Sequence, residues 1–467
     1  MKFYLLTYHG TLISRTDVPG ELTQIAVGVA AERDRLATVE LEPDFARQTY
    51  AEFIADAPGA VVKTFVTHLG TRNVHLNPRA RTLTIEFGGR FVTAQPDGSM
   101  AQDREGAHAW ESFLPCTDDD LDFLEMVMAH QWILKSSRAL VSGTTAGLGD
   151  DYTLRIAGVS IPLAFNFPFE RRNAPFRFII LLDGWRIDEL ILFKPMIYYL
   201  AFGRENVFQQ LNLSLESLIK IGRYDGQVLI YTDRSREHIC QENPWLNPAR
   251  LDIGGIPARD WVGFVAGKYC ILEEERAYLY QPVVYMDPDI IYNTDTKSFL
   301  IEMAVSDRMT AAIEVFSGLE HAPSVGATLL QMDHQQPRFA CGFNGGTIGI
   351  PNLPAHKHTL ELIRRIITNF LSIRGRSAFL WVDQEAANYV SYKIAHFDTN
   401  QISKCVRYGF EAVTTPLGPL SGLVHFWGVG RDSRPDIMRG YLDRVLEHYG
   451  ELQPQAADPQ PSATSDA

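Results

Sequence analysis

The segment Gln281–Asp295 reads QPVVYMDPDIIYNTD. Its apolar run Val283–Met286 has strand length and suits a strand covered on both faces of a sheet. Asp287 and Asp289 follow at its end, two residues apart. Residues i and i+2 of an extended chain point to the same side, so both carboxylates are expected to face one cation. Hard oxygen ligands suit Mn²⁺ (or Mg²⁺), ions that keep positions open for water and substrate phosphates. In open α/β sheets, ligands gather beyond the carboxyl ends of the strands, where this pair would lie. The spacing alone is common: Asp118/Asp120 and Asp120/Asp122 share it, in a stretch expected to be a solvated loop or a helix start. For Asp287 and Asp289 the plain alternative is an exposed acidic turn. What separates them is the apolar strand before and Ile290–Ile291 after.

Around this segment the pattern alternates strand and helix from about residue 193. Met196–Phe202 is a strand candidate. Val207, Phe208, Leu211, Leu215, Leu218 and Ile219 recur at helical spacing, with Asn206 as the expected N-cap and Gly222 as the stop. Val228–Tyr231 returns as a strand, which makes a βαβ unit and predicts a parallel sheet. Helical periodicity recurs over Leu360–Leu371, ended by Gly375, and over Ile437–Tyr449, with Pro435 in the first turn and Gly450 after the end. Residues 451–467 are polar and rich in Pro and Ala, and are expected to be disordered.

Residues 1–165 read instead as short strands and turns, an all-β domain, with 166–192 as a connecting segment. Leu83–Phe87 alternates, Gly88–Gly89 turns, and Arg90–Ala94 follows before Pro96–Asp97–Gly98. His9–Ser14 echoes Gly89–Thr93, and His130–Lys135 is a weaker echo, so a closed domain with internal pseudo-symmetry is expected. A generic small barrel or sandwich is the alternative.

The bulk numbers narrow the class. A chain of 467 residues suggests two folded units. With 46% hydrophobic and 21% charged residues it reads as an ordinary globular protein. A net charge of −13 argues against a nucleic-acid partner, since phosphate backbones need clustered Lys and Arg. The start, Met1–His9, lacks the apolar core of a signal peptide, and apolar runs such as Phe178–Leu182 and Ile197–Phe202 fall short of a membrane span. An integral membrane protein is therefore not expected. Cys116, Cys240, Cys270, Cys341 and Cys405 are odd in number and scattered, which suits a reducing compartment. A cytoplasmic location is the resulting expectation.

Four motifs carry a resemblance. Tyr285–Met286–Asp287–Pro288–Asp289 is followed by Phe343–Asn344–Gly345–Gly346–Thr347–Ile348–Gly349–Ile350, then Asp383–Gln384–Glu385–Ala386–Ala387–Asn388, then His425–Phe426–Trp427–Gly428–Val429–Gly430–Arg431. In this order they resemble the glycosyltransferase family 8 and glycogenin-like enzymes across residues 195–450. The resemblance implies a GT-A fold, a Rossmann-like nucleotide-diphospho-sugar transferase domain, at 193–450. It also implies that Asp287, Asp289 and His425 hold the metal; a lone His after an apolar strand would otherwise read as a core or surface histidine. Arg431 stands where the family usually has Lys, and the resemblance has it contact the donor's phosphates; an exposed loop charge is the alternative. Lys268 resembles the basic residue that reaches the donor, with a helix-surface lysine as the alternative.

By the same resemblance Asn344 and Gly345 lie close to sugar and acceptor, although Gly345–Gly346 also suits a plain bend or bulge. Asp383 and Gln384 take the catalytic positions beside the donor sugar, or else cap the helix after Trp381–Val382. Asn206 matches the family's nucleotide-contacting Asn, while Arg204 stands where an acidic residue is expected, so uridine is only the default base. Further upstream, Gly89–Pro115, with its turn glycines, Asp97–Gly98 and Trp110–Glu111–Ser112–Phe113, resembles one repeat of a fascin-type β-trefoil; residues 43–80 fit poorly.

The expectation is a metal-dependent glycosyltransferase that moves a sugar from a nucleotide-sugar donor, with a UDP-sugar as default, to a glycan, lipid or protein acceptor. Retention of configuration is implied by the resemblance. The alternative from another class is a catalytically inactive carbohydrate-binding or scaffolding protein with a transferase-like domain. A nucleotidyltransferase is disfavoured by the lack of a Gly-rich phosphate loop with its signature lysine.

Overall fold

The computed structural model describes residues 2–18, 21–27, 33–40, 61–77, 80, 82–142, 146–156, 159–163, 177–182, 185–256, 261–319, 322–335, 340–375, 381–414 and 421–452. The chain divides into two compact units, Met1–Phe193 and Lys194–Ala467. Residues 41–60, residues 164–176 and the last fifteen residues of the expected disordered tail lie outside the described residues.

The second unit is α/β. The strand Met196–Ala201 is buried along its whole length, as its unbroken apolar run requires. It pairs in parallel with Gln227–Thr232 on one side and Val283–Met286 on the other. Leu251–Gly254 extends the parallel side, and Cys341–Ile350 and Thr310–Gly318 complete a six-stranded sheet in antiparallel fashion. Chain order reverses between Met196–Ala201 and Val283–Met286, which is where a doubly wound sheet opens a crevice at its carboxyl edge. The first of these strands leads to Asn206 and the second to Asp287.

The helix Glu205–Lys220 buries Phe208, Leu211, Leu215 and Leu218, the face its spacing predicts. Its start differs from expectation. Arg204 is the N-cap residue and makes no side-chain cap, while Asn206 lies inside the first turn. Gly222 follows the helix because a Cβ there would stand 2.6 Å from the Leu218 carbonyl oxygen. Leu353–Arg374 ends at Gly375, whose φ of 71° is left-handed and so favours glycine. The last helix runs from Arg434 to Leu452, so Gly450 and Glu451 are helical rather than beyond its end or in a disordered tail.

A second sheet of three strands completes the unit. Gly422–His425 lies between Ile290–Asn293, antiparallel, and Val406–Tyr408, parallel. Its register sets Ile290 opposite His425, and the Phe426 amide donates to the Asp289 carbonyl at 2.9 Å.

The first unit is strand-rich but not all-β, because Asp118–Ala129 is a helix. Arg33 reaches Asp118 and Asp122 of this helix. Six strands pair in a closed ring: Lys2–Thr7, Thr38–Glu40, Val61–Val66, Gly70–Asn77, Thr82–Phe87 and Ser112–Cys116, which returns to the first. Two ring positions carry a further hairpin, Thr11–Arg15 with Leu22–Ala26 and Arg90–Ala94 with Met100–Arg104. The echo between His9–Ser14 and Gly89–Thr93 therefore marks equivalent strands. The echo at His130–Lys135 does not, since Gln131–Leu134 belongs to a separate four-stranded sheet. That sheet also contains Arg177–Leu182 and Trp185–Phe193, so the described part of the expected connecting segment is folded into this unit. A trefoil needs three hairpin-bearing repeats; two are present among the described residues.

Candidate metal centre

Asp287 and Asp289 flank Pro288 in a turn between Val283–Met286 and Ile290–Asn293. They converge with His425, and one ligand atom from each lies within 4.8 Å of the others. The turn, not strand alternation, brings the two carboxylates together. His425 Nε2 is 3.1 Å from Asp289 Oδ1 and 3.6 Å from Asp287 Oδ2. Cis ligands of an octahedral ion at about 2.1 Å stand about 3 Å apart, so these separations suit a small divalent cation.

Three observations fit such an ion. The Nε2 atom is buried and has no hydrogen-bond partner, an orphan that a metal ion would satisfy. Two carboxylates and one imidazole form the mixed oxygen and nitrogen set that Mn²⁺ accepts. Gly346 leaves room: a Cβ there would lie 2.4 Å from His425 Cε1 and 2.5 Å from Asp287 Oδ2.

The strand Cys341–Ile350 supplies that room by breaking register. Its partner residues Ala311 and Ala312 face Ile348 and Asn344, so the chain bulges over Gly345–Thr347. The bulge is tied on every side. Gly346 O accepts from the Asp287 amide at 2.8 Å, and Gly346 N donates to Asn344 Oδ1 at 2.7 Å. Asn344 Nδ2 in turn donates to Glu314 Oε2 at 2.8 Å. The Asn344 side chain thus closes the bulge within the protein.

The remaining expected residues form a second cluster beside the first. Lys268 is buried rather than on a helix surface, pairs with Asp383, and donates to Gly345 O at 3.0 Å. Its Nζ also lies over the Tyr285 ring, whose hydroxyl donates to Asp287 Oδ1 at 2.5 Å. Tyr285 thereby holds Asp287 and links the two clusters. Asp383 does not cap its helix; the carboxylate goes to Lys268. Gln384 bridges backbone, with Oε1 accepting from Gly345 N at 2.8 Å and Nε2 donating to Ser324 O at 2.9 Å. Asn388 makes two bonds to the Phe343 backbone, which locks the helix Val382–Lys393 against the bulged strand.

Two expected donor residues are not joined to these clusters by any contact among the described residues. Asn206 has its Oδ1 buried and unpaired at the carboxyl edge of the sheet. Arg431 is exposed in a turn. The arginine that reaches the carboxylates is Arg434, with Nη1 2.5 Å from Asp289 Oδ2. The family resemblance pointed to Arg431 instead. Glu314 was also missed, although a lone acid in the apolar run TAAIEVF was a visible signal.

Charge in the trio is balanced by opposing effects. Burial alone would raise Asp289, but His425 and Arg434 hold it below the ordinary carboxylate range. Burial would lower His425, but Asp289 and Asp287 hold its pKa above the usual value. Asp383 is raised by burial, with Lys268 opposing. Glu314 is also raised by burial, against its bond from Asn344 and the charge of His425.

With this geometry in view, the chain is similar in structure to several sugar transferases. A galactosyltransferase, LgtC, solved with donor and acceptor sugar analogs, matches 56% of this chain and 96% of its own, at 13% identity and a TM-score of 0.40. The bifunctional glycosyltransferase WbbM matches 55% of this chain and 51% of its own, at 12% identity and a TM-score of 0.39. The glycosyltransferase GlyE of Streptococcus pneumoniae TIGR4 matches 57% and 66%, at 16% identity and a TM-score of 0.37. No family model matches the chain, and no curated protein does. Among the described residues no helix is long and apolar enough to cross a membrane.

Proposed function

We propose that the chain is a metal-dependent glycosyltransferase with a GT-A catalytic domain. It would move a sugar from a nucleoside diphosphate sugar, a UDP-sugar by default, to an acceptor hydroxyl, with retention. The observation that carries this reading is the convergence of Asp287, Asp289 and His425 on one small volume beneath a glycine bulge. In support, the four sequence motifs contribute side chains to two neighbouring clusters at the carboxyl edge of the sheet.

Asp287, Asp289 and His425 would hold Mn²⁺ (or Mg²⁺). Such an ion, when bound, supplies positive charge to the diphosphate as it departs. The protein's own residues do the rest. Tyr285 orients Asp287 through its hydroxyl, and Arg434 fixes one oxygen of Asp289. Lys268 brings a buried ammonium to the bulge and to Asp383, where it can meet phosphate or sugar oxygens. Asp383 can hydrogen-bond donor sugar hydroxyls or face positive charge at the anomeric carbon. Gln384 keeps Gly345 in place rather than presenting its oxygen freely. Asn206 follows the neighbouring strand end, a place suited to the nucleotide base or ribose. The first unit, with its closed ring of strands, would bind acceptor glycan or a protein partner.

The test is nucleotide release from a panel of nucleotide sugars with Mn²⁺. Release that depends on the metal and falls in Asp287→Ala and Asp289→Ala is expected. Equal release by the variants would remove the metal site, and no binding of any nucleotide sugar would remove the enzyme.

A further inference from the structure

Arg434 opens the helix Arg434–Leu452, where the helix dipole disfavours a positive charge. Something other than helix stability places it there. Its fork is divided. Nη1 donates to Asp289 Oδ2 at 2.5 Å, Nη2 donates to Val429 O at 3.2 Å, and Nε is buried with no partner. The side chain is 19% exposed and the Asp289 side chain 8%. Asp289 Oδ1 is turned the other way, toward His425 Nε2.

One oxygen of a proposed metal ligand is thus covered by a fixed positive charge, and the other faces the metal volume. A cation entering that volume meets repulsion from the guanidinium. A diphosphate brought alongside the cation offers the guanidinium an alternative anion, and the planar fork suits phosphate oxygens in bidentate fashion. The unpaired Nε is a donor not yet used.

We infer that Arg434 is the positioning residue that couples metal binding to nucleoside diphosphate binding: it opposes the metal alone and favours the two together. The inference rests on the proposed metal site and names the residue that regulates it. It assigns the phosphate-facing role to Arg434 rather than to the exposed Arg431.

The coupling can be read without turnover. Free Mn²⁺ is followed by electron paramagnetic resonance as MnCl₂ is titrated into the full chain, with and without saturating UDP. Couplings of this kind are typically about 5–150-fold, and a gain in that range is expected for the wild type on adding UDP. Arg434→Gln should bind Mn²⁺ alone about fivefold more tightly or better, and lose most of the UDP-induced gain. Arg434→Lys keeps the charge without the fork, so it should bind Mn²⁺ alone as the wild type does and show a reduced gain. It also carries the test if the Gln variant does not fold.

Arg431→Gln should leave both titrations unchanged. Tighter Mn²⁺ binding by Arg434→Gln with the UDP gain intact would overturn the inference, as would unchanged binding of Mn²⁺ alone. A wild type that binds no Mn²⁺ under either condition would overturn the metal site itself, and the inference with it.

Discussion

Gly346→Ala adds one methyl group at the most crowded point of the site. Gly346 is not in a left-handed conformation, so alanine meets no backbone strain there. The strain is lateral. The new Cβ would lie 2.4 Å from His425 Cε1, 2.5 Å from Asp287 Oδ2 and 2.9 Å from Asn344 Oδ1. Ordinary contact begins at 3.4 Å, so the imidazole would have to retreat by 1.0 Å and the carboxylate by 0.9 Å. Metal–ligand distances tolerate only about 0.2 Å, so two of three ligands would leave their range. Neither can move freely, since Asp287 is tied to Tyr285 and the backbone before His425 is paired with the strand Ile290–Asn293.

Loss of Mn²⁺ affinity by at least about tenfold is expected, beside an overpacking cost of about 1–3 kcal/mol. Isothermal titration with MnCl₂ reads the first, and thermal unfolding without metal reads the second. Gly345→Ala is the control: its Cβ would meet Asp383 Oδ2 at 3.1 Å and Lys268 Nζ at 3.5 Å, away from the trio. It should bind Mn²⁺ as the wild type does. A folded Gly346→Ala with wild-type affinity would refute the claim that this bulge shapes the metal volume.

Three further outcomes follow from the same geometry. His425 is raised in the folded protein, so its stabilising contribution is full below its unfolded pKa of about 6.5 and is lost as pH rises through the folded value. Asp289 is lowered, so its contribution is full above about 3.9 and lost as pH falls through the folded value. The metal-free protein should gain most from this pair between about pH 4 and 6.5, and His425→Gln should remove the decline in melting temperature on the alkaline side. Mn²⁺ needs the neutral imidazole, so its affinity should instead climb with pH; an affinity that falls as pH rises would contradict the assignment of His425. Gln384→Ala strips a partner from Gly345 N and from Ser324 O, and should cost about 1–2 kcal/mol in denaturant unfolding. No loss would mean that the bridge is not structural.

Much of the α/β unit was legible because its signals are local. An unbroken apolar run gives a strand buried on both faces, as at Val283–Met286, and helical spacing with a following glycine gives Leu353–Arg374. Two parts of the site were also written in sequence, as acidic residues after a buried strand and as paired glycines. What was not legible depends on contacts distant in the chain. Arg434 and Arg431 differ by three positions, and only the start of the last helix decides which one meets Asp289. Lys268 reads as a surface residue until the bulge and Asp383 close over it. Asn206 looked like a cap because Asn prefers that position, but the chain enters the helix at Arg204 without a side-chain cap. In the first unit, Gln131–Leu134 shares a strand pattern with the ring hairpins yet pairs in another sheet, since pattern sets the face and not the partner.

Crystals grown with MnCl₂ and UDP, with anomalous scattering measured at the manganese edge, put the central claim to the most direct test. The account predicts one strong peak at about 2.0–2.3 Å from a carboxylate oxygen of Asp287, a carboxylate oxygen of Asp289 and Nε2 of His425, with diphosphate oxygens completing its shell. A well-ordered UDP with no manganese among these three residues, or manganese bound elsewhere, would contradict it.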